Sequence, residues 1–230
     1  MTIRVAVTLE VMPKRTFATA ADWPGWSRSG KSPDIALGSL IAYADRYAPI
    51  AHRAGVSLPT MADLEFVVDE SAAGNATTEF GAPGRVSDPD RRALTAAEGA
   101  AQARLVAAAW AFLDEVARSA PEVLRKGPRG GGRDTSKILA HIRDAELAYA
   151  REIGIRAQPR ERTDETVERP ADPGIRDAIL EVVGRPSDGS PLAGRRWTAR
   201  YAAHRIAWHV LDHAWEIEDR STPAASAGDG

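Results

Sequence analysis

The residues best suited to chemistry in this chain are histidines, because the sequence contains no cysteine and so offers no thiolate of its own. His209 and His213 lie four positions apart, which places two side chains on one face of a helix and suits a single metal ion. In a helix over 196–220 this face also carries Ile206 and Ile217, so both imidazoles are predicted to point inward. A buried neutral imidazole must satisfy both ring nitrogens, and a metal is the simplest partner for two in succession. The pair therefore predicts a metal site.

His141 is the third predicted ligand. It lies between Ile138 and Ile142 on the apolar face of another helix, roughly 9 Å from that helix's start, while the midpoint of the pair lies roughly 12 Å from the end of the last helix. Antiparallel packing would bring all three imidazoles to one level. Three ligands with no obvious fourth leave a position for water or substrate, which is typical of a catalytic metal site. The alternative is that these are ordinary core or helix-cap histidines.

A four-helix bundle over 93–221 is predicted to position these side chains. Thr95 and Glu98 form a capping-box pattern at the start of its first helix, and the second helix follows a glycine-rich loop. The third is predicted to start at Pro173 with Asp172 as its cap, and the fourth to cover about 196–220. Residues 222–230 are predicted to be a disordered tail.

A separate small ββαββ unit is predicted over residues 1–85, before a stretch rich in glycine, proline and aspartate. Its predicted strands cover 3–11, 15–23, 64–70 and 76–80, and its predicted helix covers 33–54, capped by Ser32. The predicted fold class is therefore α+β, with the ββαββ unit followed by the four-helix bundle.

The stretch GWSRSGKS at 25–32 satisfies the phosphate-loop pattern, which raises nucleotide hydrolysis as a further hypothesis. A phosphate loop joins a buried parallel strand to a helix and needs an acidic magnesium ligand on a neighbouring strand. The candidate acid, Asp69, ends a strand expected to form a hairpin with 76–80, and Pro33 removes a backbone donor at the helix start. We therefore expect no ATP binding here.

The stretch FATAADWPGWSRSGKSPDIAL resembles the HicB-like family of small ββαββ units, with Asp22, Pro24, Gly25 and Gly30 matching its frame. The resemblance implies a binding or oligomerising module, although the companion DNA-binding helices of that family are absent. The tryptophans at 23 and 26 flank the turn and could form a recognition surface or pack against the helical part.

The segments ILAHIRDAE (138–146) and HRIAWHVLDHAWEIEDR (204–220) resemble the metal-bearing segments of DinB-like four-helix bundles. This group includes mycothiol-dependent maleylpyruvate isomerase and bacillithiol transferases. The resemblance implies that His141, His209 and His213 hold a divalent metal, with zinc or nickel expected, and that the metal activates a low-molecular-weight thiol to attack an electrophile. It also implies a homodimer. The alternative is a non-catalytic metal-binding or stress-response module of the same fold, and the sequence leaves open whether the chain is an enzyme.

Further polar residues are expected around this site. Arg129 and Arg133 belong to a basic, glycine-rich loop just before the second helix of the bundle, and we expect them to hold an anionic part of the cosubstrate, with a solvated connection as the alternative. Tyr149, two turns after His141, is assigned to the same site, with a core position as its alternative. A carboxylate from Asp144, Glu146 or Asp212 is predicted to orient an imidazole, although solvated helix faces would suit most of them.

The overall composition excludes several other function classes. A formal net charge of −2 gives no field that would attract nucleic acid or an acidic membrane, and no apolar run approaches the roughly 20 residues of a membrane span. The first residues lack a secretory signal, so a cytoplasmic location is expected. The expected partners are a small-molecule thiol and an electrophilic substrate.

Overall fold

The first part of the chain forms a four-stranded sheet in the computed structural model, which describes residues 3–126, 132–156 and 173–221. The strands are β1 (Ile3–Met12), β2 (Arg15–Ala20), β3 (Ser27–Gly30) and β4 (Leu64–Ala73), in the spatial order β3-β2-β1-β4. The central strand β1 pairs antiparallel with β2 and parallel with β4. A sheet followed by a helical region confirms the predicted α+β class.

The central strand β1 is buried on both faces of the sheet, and its successive side chains point alternately into two different environments. Val5, Val7 and Leu9 belong to the main hydrophobic core. Thr8 and Glu10 point to the opposite face, where they line a small cavity together with residues from the last helix.

One strand prediction and one pairing prediction for this part are wrong. Residues 76–80 form a short helix, α3 (Ala76–Phe80), because the Asn75 side chain accepts hydrogen bonds from the amides of Thr77 and Thr78 and so caps a helical turn. The strand over 64–73 lies parallel to β1 instead of forming a hairpin with 76–80. The fourth strand of the sheet is β3, which lies within the glycine-rich stretch, and β2 ends at Ala20.

The predicted helix over 33–54 is divided into α1 (Pro33–Ala42) and α2 (Ala44–Arg53). It begins where the sequence indicates, because the Ser32 hydroxyl accepts a hydrogen bond from the amide of Ile35 at 3.3 Å. At Tyr43 the backbone leaves the helical region, with ψ at 3°, and the Tyr43 amide bonds to the carbonyl of Leu40.

Four long helices follow in the part of the chain that the structure describes: α4 (Ala96–Ser119), α5 (Thr135–Glu152), α6 (Pro173–Gly184) and α7 (Ala199–Ser221). The capping box is confirmed, since the Thr95 hydroxyl accepts from the amide of Glu98 while the Glu98 carboxylate accepts from the amide of Thr95. The predicted Asp172 cap and the predicted tail at 222–230 lie outside the described residues. In the described ranges, no helix is long and apolar enough to cross a membrane.

One hydrophobic core joins the sheet, its helices and the bundle, with α7 as the shared element. Gly25, in the turn between β2 and β3, lies directly against α7, where a Cβ would meet Leu211 Cδ1 at 2.7 Å. Trp26 is fully buried and donates from Nε1 to the carbonyl of Leu40 at 2.9 Å, while Trp23 is partly buried against the same core. Trp26 therefore packs in the core, a recognition surface at Trp23 stays a prediction, and so does the division into 1–85 and 93–221.

Candidate metal centre

Helices α5 and α7 run antiparallel, as the ligand spacing requires. Arg220, near the end of α7, donates to the carbonyls of Arg125 and Arg133, which lie just before α5. At the other end, the Tyr149 ring on α5 packs 5.3 Å from the ring of Trp197, just before α7. Positions early in α5 therefore face positions late in α7.

The three predicted ligands lie together. The Nε2 atoms of His141 and His209 are 3.2 Å apart, and the three ring centroids are separated by 4.7 to 5.1 Å. One ligand atom from each of His141, His209 and His213 lies within 4.8 Å of the other two. These three side chains could hold one metal ion.

The cluster also fits a metal by its donor chemistry. Tetrahedral zinc with Zn–N distances of about 2.0–2.1 Å places two ligand nitrogens roughly 3.3 Å apart. The separation of 3.2 Å between His141 Nε2 and His209 Nε2 agrees with that spacing. Three neutral nitrogen donors also match the ligand preference of zinc, nickel and iron.

Burial keeps two of the three imidazoles neutral. His209 is 6% exposed, and desolvation, followed by the neighbouring charges of His213 and Arg205, lowers its pKa to about 2. Desolvation and the nearby Arg133 charge also lower the pKa of His141. A metal ligand must be unprotonated, so the lowered pKa values of His209 and His141 favour the form of each imidazole that can coordinate a metal.

Glu216 orients the third imidazole. Its carboxylate accepts a hydrogen bond from His213 Nδ1 at 2.9 Å and another from Arg220 at 2.8 Å, which leaves His213 Nε2 as the free ring nitrogen. The His213 hydrogen bond is the main cause that lowers the pKa of Glu216. Sequence reasoning missed this residue, although its position three residues after His213 on the same helix was a usable signal.

The three acids that the sequence suggested for this role have other environments. Asp212 pairs with Arg28 at 2.9 Å, and the buried Glu146 pairs with Arg176 at 3.0 Å. Asp144 is exposed, and it acts on the cluster only through its charge, which opposes the lowering of the His141 pKa. None of them hydrogen-bonds to a ligand imidazole within the described ranges.

Two of the three predicted cosubstrate residues lie at the cluster. The Tyr149 ring packs edge-on against His209 with 5.6 Å between centroids. The charge of Arg133 contributes to the lowered pKa values of both His141 and His209, and its side chain is exposed. Arg129 lies outside the described residues. A ligand-binding role for these residues stays a prediction.

The other two histidines lie elsewhere. His204 is buried and its Nε2 lies 2.9 Å from the carbonyl of Ala21, so it ties α7 to the strand end. His52 is exposed in the last turn of α2.

The phosphate-loop pattern has the wrong structural context. Residues 27–30 form an edge strand antiparallel to β2, and Lys31 is exposed between that strand and the Ser32 cap. Asp69 does lie on a strand parallel to β1, contrary to the hairpin prediction, but it pairs with Arg4. The glycines here build a turn and a strand and form no anion cradle of the phosphate-loop type.

No protein-family model, curated protein or solved structure matches the chain. The candidate site is therefore defined by the geometry of its own residues.

Proposed function

We propose that this chain is a divalent-metal-dependent transferase or isomerase that uses a low-molecular-weight thiol to attack an electrophilic substrate. The observation that carries the proposal is the convergence of three imidazole nitrogens within 4.8 Å on two antiparallel helices. Zinc or nickel is the expected ion. When bound, it would supply a positive charge that favours the thiolate form of a thiol at the open side of the cluster.

The chain's own residues divide the remaining tasks. His209 is buried and closes the inner side of the cluster, whereas His141 and His213 are partly exposed and leave an approach from outside. Glu216 fixes the ring of His213 and selects Nε2 as its donor atom. Tyr149 covers the edge of His209 and limits water on that side.

One resemblance favours a thiol reaction, and the absence of cysteine means only that any thiol would come from outside the chain. The two histidine segments resemble those of DinB-like bundles, several of which use such thiols. The competing proposal is a non-catalytic metal-binding or stress-response module, which has the same three ligands and no turnover.

Elemental analysis of the purified protein tests the metal. We expect about one equivalent of zinc or nickel per chain, lost when His141, His209 and His213 are all replaced by Ala. The control is His52→Ala, an exposed histidine on α2 that should keep the metal. A protein that binds neither ion after reconstitution overturns the proposal.

Thiol consumption tests the reaction. The metal-loaded protein is mixed with a small thiol and an electrophilic alkene or epoxide, and the free thiol is titrated with time. We expect consumption that His209→Ala abolishes and His52→Ala preserves. Full metal content without consumption favours the non-catalytic module.

A further inference from the structure

Three neighbouring side chains of α7 have buried nitrogen atoms without a hydrogen-bond partner among the described residues, namely His204 Nδ1, Arg205 Nη1 and Trp208 Nε1. His204 is 8% exposed and Trp208 is 5% exposed, so bulk solvent does not satisfy these two rings. A buried polar nitrogen without a partner destabilises the fold. The side chains therefore need a partner that the described residues do not supply.

All three side chains line one cavity of about 20 Å³, between α7 and the face of the sheet that carries Thr8 and Glu10. A cavity of this volume holds one ligand of the size of a water molecule and excludes larger ones. The ring of Trp208 packs edge-on against Phe17 of β2, with 5.7 Å between centroids, so helix and sheet are in contact beside the cavity. A ligand in the cavity would therefore lie between the sheet and the helix that carries two of the candidate metal ligands.

The cavity offers both donors and an acceptor. Trp208 Nε1 and Arg205 Nη1 can only donate a hydrogen bond. His204 Nε2 lies 2.9 Å from the carbonyl of Ala21, which can only accept, so Nε2 carries the hydrogen and Nδ1 of the neutral ring is an acceptor. The ligand must therefore accept hydrogen bonds and also donate at least one.

The charges around the cavity disfavour an ion. A monatomic cation would face the Arg205 guanidinium and the indole N–H of Trp208. A monatomic anion would face the lone pair of His204 Nδ1 and the carboxyl groups of Glu10 and Asp90, which also line the cavity. A water molecule has no net charge, and it can both accept and donate hydrogen bonds.

We infer that this cavity is a binding site for one ordered water, which accepts a hydrogen bond from Trp208 and donates one to His204. The second hydrogen of the water can be accepted by Thr8 or Glu10, so the water connects α7 to β1. This inference goes beyond the proposed function, since it requires neither the metal nor the thiol.

High-resolution crystal structures of the full chain as purified, one grown with chloride and one soaked in bromide, test the inference. We expect one water peak at about 2.7–3.2 Å from both Trp208 Nε1 and His204 Nδ1, without anomalous signal in the bromide crystal. An anomalous peak in the cavity would identify a halide site and overturn the inference. The absence of any peak there would overturn it as well.

The variant Trp208→Phe removes the indole donor and keeps an aromatic ring beside Phe17, so the water peak should be lost. The matched control is Trp215→Phe, the same substitution at another buried indole of α7, whose Nε1 also has no partner but which does not line this cavity. This control should keep the peak. A peak of equal height in Trp208→Phe would overturn the assignment of the partners. If Trp208→Phe does not fold, the two crystals of the unmodified chain still decide for or against the water.

Discussion

Replacing Glu216 by Gln should weaken metal binding without removing a ligand. Glu216 is ionised at neutral pH because His213 and Arg220 lower its pKa, and it holds His213 Nδ1 at 2.9 Å. Loss of a carboxylate that orients a metal-binding imidazole typically costs 10- to 100-fold in metal affinity, or about 1.4 to 2.8 kcal/mol. The Glu216 side chain is 34% exposed, so solvent screens its charge and we expect the lower limit, about tenfold.

Competition with a chromophoric zinc chelator at pH 7.5 measures this change. Glu218→Gln is the matched control, because it removes the same charge two residues later on α7, where the carboxylate pairs with Arg46. Equal zinc affinity in the unmodified chain and Glu216→Gln, with binding lost in His209→Ala, would refute the orienting role. Equal weakening by Glu218→Gln would show that only net charge matters.

Three further predictions concern stability and the glycine-rich stretch. The pKa of His209 is about 2 in the folded chain and about 6.5 in the unfolded chain. Below about pH 6.5 the unfolded chain therefore binds a proton at His209 that the folded chain does not bind. The free energy of unfolding then falls by up to about 1.4 kcal/mol per pH unit. Urea unfolding of the metal-free protein at pH 7.5 and 5 should show this loss, and His209→Gln should reduce it. Gly25→Ala should lower the free energy of unfolding by about 1–3 kcal/mol, because φ at this position is +93° and the new Cβ would meet Leu211. Gly38→Ala, which adds a Cβ in open space within α1, should raise the free energy of unfolding by up to about 1 kcal/mol. The opposite order of their urea midpoints would contradict the packing of this turn on α7. ATP should show no binding by calorimetry to either the unmodified chain or Lys31→Ala, and saturable binding lost in Lys31→Ala would restore the nucleotide hypothesis.

Much of the local structure was predictable from the sequence. Apolar alternation placed β1, and the Ser32 and Thr95 caps placed the starts of α1 and α4. Such signals involve residues within a few positions of each other, whose backbone groups and side chains interact in any context. The short range of these signals also explains the errors. A segment as short as 76–80 shows little hydrophobic periodicity, and the Asn75 cap makes it a helix.

The sequence by itself also predicted the three candidate ligands, because the spacing of His209 and His213 and the apolar face around His141 are local facts. Only the tertiary structure decided which groups surround that set. The contact between His141 and His209 joins positions 68 residues apart, and the Arg28–Asp212 pair, which removes one candidate acid from the site, joins positions 184 apart. Pairing of charges in the interior depends on which helices pack together, and a single helix's periodicity carries no information about that choice.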